Sequence, residues 1–341
     1  MSLIVYANHF TPPLREYFWQ SRAGVFPPVQ CYVSRCKYKP NLFETVLTCQ
    51  SIDELREIRH NSLTWEECMN KRAAEILKLD GKIYVLYSGG VDSVGIVCSI
   101  IKNFSTEDLK RVTLLCTPSS VVEFPSFFNL LVKKIKIEYL NTFIEGYTRD
   151  GYVVSGMLGD LFFSEPGMTE KAFELGIARE PYKEGMIKLL SFYSEEYGKR
   201  LFDWLEPIVD ESLYDINSTL DFISWLYFTQ LYQKVQLAHL SQKGNFEDLS
   251  SYSKVINFFD TLDFQLWGIE NHSKITYNSM KDYKRDSKIY INSVFKNDWY
   301  LENKQKFPSY FYFMFGTSFI DAIDENWNVI DLETAMDYCR D

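Results

Sequence analysis

Between residues 82 and 155, short apolar runs alternate with segments whose apolar positions recur every three or four residues. Ile83-Tyr84-Val85-Leu86, Val112 to Thr117, Ile135 to Leu140 and Tyr152 to Ser155 are the short runs. The segments between them, about 92–103, 121–134 and 141–149, carry helical spacing, as in Val94, Val97, Ile100 and Ile101. Strands without a polar alternate face are buried on both sides, and intervening helices make their sheet parallel. The pattern predicts an α/β fold with a doubly wound parallel sheet, right-handed crossovers and a ligand site beyond the carboxyl ends of the strands. Upstream, Thr64 and Glu67 have the spacing of a capping box before a helix that Asp80-Gly81 ends.

The flanks read differently. Residues 1–61 carry Pro12, Pro13, Pro27, Pro28 and Pro40 and weak periodicity, so they form an irregular, partly β extension. Residues 62–165 form the α/β core, and 166–341 a mostly helical region packed on it. Apolar spacing of three and four marks helices near 169–176, 182–200, 217–241 and 247–260. An aromatic stretch at 307–315 precedes a hairpin around Asp324-Glu325-Asn326 and a final helix near 331–339.

Composition narrows the function classes. The formal net charge is −10, which disfavours binding of long nucleic acids, because phosphate contacts supply most of that affinity. Aromatic residues make up 16% of the chain, and without positive charge they read as core rather than as base-stacking platforms. The seven cysteines are scattered and odd in number, with no secretory signal, which predicts reduced thiols in a cytoplasm. Cys31, Cys36 and Cys49 are a weak zinc candidate, since no Cys-x-x-Cys pair and no histidine cluster accompany them. No apolar run reaches the roughly 18 residues of a membrane span.

The chemistry concentrates at Tyr87 to Ser93, reading Tyr-Ser-Gly-Gly-Val-Asp-Ser between a strand and a helix start. Gly89 and Gly90 let backbone approach an anion, and the helix N-terminus directs N–H groups and dipole at it. Ser88 and Ser93 add hydroxyl donors. Asp92 would repel phosphate, so it makes sense as a Mg²⁺ ligand that bridges to phosphates. An ordinary strand-to-helix turn, capped by Asp or Ser, is the plainer alternative. Neither Gly-x4-Gly-Lys-Ser/Thr nor Gly-x-Gly-x-x-Gly occurs.

The segment resembles the PP-loop family of ATP pyrophosphatases, whose signature is Ser-Gly-Gly-x-Asp-Ser. Val153 to Phe163 sharpens the likeness: Gly156, Asp160 and Phe162 match the Gly-Glu-Gly-x-Asp-Glu-Leu-Phe frame of the asparagine synthetase branch. Asn257-Phe258-Phe259-Asp260 resembles that branch's Pro-Phe-x-Asp segment, and the likeness spans about residues 62 to 290. It implies an AMP-forming ligase that adenylates a carboxylate or amide oxygen, releases pyrophosphate and passes the acyl group to ammonia or an amine. ATP would lie over Ser88, Gly89, Gly90, Val91, Asp92 and Ser93, with Gly156 nearby, adenine near Thr117 and Mg²⁺ between Asp92 and Asp160. A lysine often stabilises this step in the family. Lys274, Lys281, Lys284 and Lys288 are candidates, Lys274 and Lys284 foremost, with solvated surface lysines the alternative for each.

Three departures qualify the implied chemistry. Met157 and Leu161 stand where the branch has glutamates, and the glutaminase domain has no counterpart in residues 1–61. The amine or ammonia would then come from elsewhere, such as another protein, and the acid would be a small or amino-acid-like molecule. A PP-loop enzyme that modifies a nucleobase, NAD synthetase and a nucleotide- or partner-binding module without turnover stay open. Residues 1–61 could cover a sheet edge or make a homodimer contact.

Overall fold

A computed structural model of the chain describes residues 3–4, 35–36, 43–44, 50–58, 63–117, 120, 123–141, 143–147, 149–164, 166–193, 198–232, 254–272, 280–304, 322–323 and 329–330. It divides into two units. One comprises His60–Gly159 and Gln242–Phe307, the other Met1–Arg59, Asp160–Ser241 and Pro308–Asp341.

The first unit is built on five parallel strands: β1 (Ile83–Tyr87), β2 (Val112–Cys116), β3 (Lys136–Tyr139), β4 (Tyr152–Ser155) and β5 (Val255–Asn257). Their spatial order is β3-β2-β1-β4-β5. Every residue of β2 is buried, as are four of the five in β1, whereas β3 and β5 at the edges are only partly covered. The apolar runs therefore mark central strands because both of their faces need covering. Ile83 pairs with Val112 on one side and Tyr152 on the other. Leu86, Leu115, Leu140, Tyr147 and Val153 share one core cluster. The α/β class and the parallel sheet thus agree with the hydrophobic pattern.

β5 departs from the reading of 247–260 as helical. Three residues are too few to carry a period, so ladder pairing of Val255 with Val153 and Asn257 with Ser155 decides the segment. Arg72 fixes the end of this strand, donating to the carbonyls of Asn257 and Phe258 at 3.2 and 3.0 Å. Residues 247–253 lie outside the described set.

The capping box is present: Thr64 and Glu67 close the start of the helix Trp65–Leu77 reciprocally. That helix delivers Trp65 into an aromatic group with Phe259, Phe264 and Trp267, its ring centre 4.6 Å from that of Trp267. Here the aromatic content fills the core. The segment read as 121–134 is shorter, Pro125–Leu131, with proline at the first helical position, where its missing N–H costs nothing.

In the second unit the longest helices among the described residues are Pro166–Glu174, Tyr182–Tyr193, Gly198–Leu205 and Thr219–Leu226. The pattern at 182–200 is thus two helices rather than one. Thr219–Leu226 runs into a π-helical turn, Tyr227–Leu231. Arg35 is buried here, donating to the carbonyls of Gln50 and Phe228 and lying over the rings of Phe228 and Tyr232. Leu3–Ile4 pairs in parallel with Phe43–Glu44, in keeping with a partly β extension. Ala322–Ile323 pairs antiparallel with Val329–Ile330, which flank the expected hairpin turn. The aromatic stretch 307–315 and the helix expected near 331–339 lie outside the described residues. Among the described residues, no helix is long and apolar enough to cross a membrane.

Candidate functional site

The strand order reverses between β1 and β4. A crevice opens at such a point beyond the carboxyl ends of the strands. Two glycine-bearing loops enter it, 88–90 after β1 and 156–159 after β4. Gly89 has φ +83, in the left-handed region that favours glycine, and a Cβ there would lie 2.5 Å from the Ser120 carbonyl oxygen. The helix Val91–Asn103 starts directly after, with Gly90 as its N-cap and no side chain capping it. By position, the N–H groups of Val91, Asp92 and Ser93 have no acceptor within the helix.

The serine hydroxyls brace this loop instead of projecting from it. Ser93 Oγ accepts from the Ser88 N–H at 3.2 Å, and the two hydroxyl oxygens are 3.1 Å apart. The Gly90 N–H donates to Ser88 Oγ at 3.2 Å. Thr117 is similarly engaged: its N–H donates to Ser120 Oγ at 3.0 Å, and its carbonyl accepts the Ser120 N–H.

Asp92 is the junction of the site. Gly156 and Gly159 leave it room: a Cβ on Gly156 would lie 3.2 Å from Asp92 Cβ, and one on Gly159 only 2.5 Å from Oδ1. The glycines of the second motif therefore lie against the carboxylate of the first. Lys284 Nζ donates to Asp92 Oδ2, and the lysine side chain is 4% exposed. Lys284 precedes the helix Arg285–Val294 in a left-handed backbone conformation, φ 56. Strain of that kind in a non-glycine residue persists where surrounding contacts hold it.

Two more lysines are buried nearby. Lys288 is 1% exposed, and its Nζ donates to the Lys281 carbonyl at 2.8 Å. Burial depresses its pKa to about 8, and the charges of Arg285, Lys304 and Lys284 add to the depression while Asp282 opposes it. Lys304 Nζ donates to Glu123 Oε1 at 2.8 Å, its side chain 5% exposed. The Glu123 carboxylate lies over the loop, with Oε1 3.6 Å from where a Gly90 Cβ would be. Beneath, the hydroxyls of Tyr87 and Tyr300 are buried without a hydrogen-bond partner among the described residues. Burial raises the pKa of both, with smaller contributions from neighbouring thiols and carboxylates.

Of the residues named from sequence, the structure brings together Ser88, Gly89, Gly90, Val91, Asp92, Ser93, Gly156 and Lys284. Asp160 belongs to the other unit, is half-buried, and accepts the Phe163 N–H on its carbonyl. Met157 is 47% exposed and Leu161 is buried. Lys281 is exposed, and Lys274 lies outside the described residues. Glu123, Lys304 and Tyr300 escaped sequence reading, and Tyr87 entered it only as the first residue of the motif. For Glu123 a signal existed: it lies in the connection after β2, which a parallel sheet delivers to the same edge as the loop.

No three histidine, cysteine, aspartate or glutamate side chains converge among the described residues, so they build no closed metal cage. Mg²⁺, however, is usually held by one or two carboxylates plus phosphates and water. Asp92 fits such a role, since it already faces a cation, the Lys284 ammonium. Compared with known proteins, the chain matches no family model and no curated sequence.

Proposed function

We propose that this site binds the phosphates of ATP and that the chain is an AMP-forming ligase of PP-loop type, resembling the synthetase part of asparagine synthetases. The observation carrying the proposal is the burial of Lys284, Lys288 and Lys304, 3%, 1% and 5% exposed, beside a glycine loop in a protein of net charge −10. Lysine is almost never fully buried unless paired. Here two are paired with carboxylates at the loop, Asp92 and Glu123, so three ammonium groups face two carboxylates.

In this reading a substrate carboxylate or amide oxygen attacks the α-phosphorus, and the bond from that phosphorus to the bridging oxygen breaks. Pyrophosphate departs onto the loop. The N–H groups at the helix start and the Lys284 ammonium meet the charge that develops, which is where preorganised sites gain most. Ser88 and Ser93 keep the loop in shape. Mg²⁺ arriving with the nucleotide would be held by Asp92 and would supply further charge neutralisation. Asp160 as a second carboxylate rests on its sequence frame. Ammonia or an amine then attacks the acyl carbon and AMP leaves.

Substrate-dependent exchange of labelled pyrophosphate into ATP tests the reading, with candidate amino-acid-like acids. Asp92→Asn is expected to abolish AMP release at a temperature where circular dichroism shows the variant folded, since loss of a partner to the buried Lys284 also lowers its stability; undiminished AMP release would remove Asp92 from the reaction. A binding module without turnover is favoured by the exposed Met157 where the branch has glutamate. Nucleotide binding with no exchange under any acid would select it.

A further inference from the structure

The Glu123 carboxylate lies against the glycine loop, where the phosphate reading above would put the anion. It reaches within 3.6 and 3.9 Å of the Gly90 Cβ position, and its own Cβ lies 2.9 Å from that of a side chain placed on Gly89. It faces the uncapped start of the 13-residue helix Val91–Asn103, where a negative group is favoured. Lys304, nearly buried, holds it there at 2.8 Å. Each half of this pair does something an incoming phosphate would do or want: the carboxylate supplies negative charge to the helix start, and the ammonium is neutralised.

We propose that Glu123 is a displaceable stand-in for a diphosphate, and that Lys304 changes partner from Glu123 to the phosphate when the ligand enters. The proposal rests on the phosphate-binding reading above and adds its regulation: an internal competitor that keeps the loop closed until a polyanion displaces it. A single negative charge, as on chloride or a lone carboxylate, exchanges one monoanion for another and gains little. A diphosphate brings more charge to the same helix start and cations, so the gate selects for it. Because the ligand must displace Glu123 from Lys304 to enter, the intact pair scales its apparent affinity down by the fraction of molecules already open.

Calorimetric titration of the full chain with inorganic pyrophosphate tests this, for the natural sequence and for Glu123→Gln. The amide keeps the shape and removes the charge. Binding by Glu123→Gln is expected to be about tenfold tighter. Binding by both proteins with equal affinity overturns the gate and leaves the phosphate reading standing. Absence of binding by both overturns the two together. Should Glu123→Gln fail to fold because buried Lys304 loses that carboxylate, the double variant Glu123→Gln/Lys304→Met leaves neither charge. The gate predicts that it binds pyrophosphate as tightly as the natural chain, loss of a cation being offset by loss of the competitor. Markedly weaker binding by the double variant makes Lys304 an ordinary cation of the site and overturns the gate.

Discussion

Lys284 shows how much one side chain carries at this site. It is buried against Asp92, and removing one partner of a buried pair leaves the other charge uncompensated. Lys284→Met is expected to destabilise the fold by about 3 kcal/mol in denaturant titrations. Asp92→Asn/Lys284→Met should recover most of that loss; a double variant as unstable as the single one would show that packing, not charge, sets the cost. Lys288 makes a prediction of opposite sign. Burial lowers its pKa from 10.5 to about 8. Below pH 8 folded and unfolded chains both hold the proton, and the cost of burying the ammonium is fully present. Between about 8 and 10.4 the unfolded chain binds more protons, so stability rises with pH across that window. Lys288→Met is therefore expected to be more stable at pH 7, by roughly 3 kcal/mol at most, and to lose the rise. Denaturation midpoints at pH 7, 8, 9 and 10 check both, and a parallel pH profile in the two proteins would refute the assignment. The sequence exposed the loop, since five fixed residue types after an apolar strand stand out in one dimension. It put Lys274 and Lys284 foremost among four lysines but could not decide between them, because what distinguishes Lys284 is contact with a residue 192 positions away. Lys304 lacked any local pattern for the same reason, and Glu123 had only its place in the connection after β2.

At the scale of elements, legibility tracked burial. β1 and β2 are covered on both faces, so their runs are uninterrupted and their limits could be read to within a residue or two. The edge strand β5 has three half-buried residues, and its identity depends on β4 and Arg72. Arg72→Met is expected to leave β1 to β4 intact while amide hydrogens of residues 255–258 exchange faster, since two carbonyls lose their donor. Uniform acceleration across the sheet would mean that Arg72 supports the whole unit. The start of Trp65–Leu77 was legible because a capping box is a local device, complete within four residues. The break between Tyr182–Tyr193 and Gly198–Leu205 was not, as apolar spacing continues across it.

For the whole molecule, the central tension is between an acidic chain and a cationic site. A net charge of −10 repels polyanions at long range, yet the buried lysines attract a compact anion at short range. Screening removes most of the first effect beyond about 10 Å at 0.1 M salt and touches a buried cluster much less. On the proposed phosphate reading, buried cations would serve a compact anion, while the acidic chain would offer a nucleic acid few phosphate contacts. Pyrophosphate at a hundred times its dissociation constant is expected to stabilise the chain by about 2.7 kcal/mol, seen as a higher melting temperature. Sodium chloride of equal ionic strength and a single-stranded RNA are expected to leave it unchanged. The stabilisation should also be local. Slowed hydrogen exchange should concentrate in 88–94 and 284–304, with helices such as Tyr182–Tyr193 of the other unit unaffected. Equal stabilisation by chloride would reduce the effect to general ion screening, and protection confined to the second unit would place the anion somewhere other than the glycine loop.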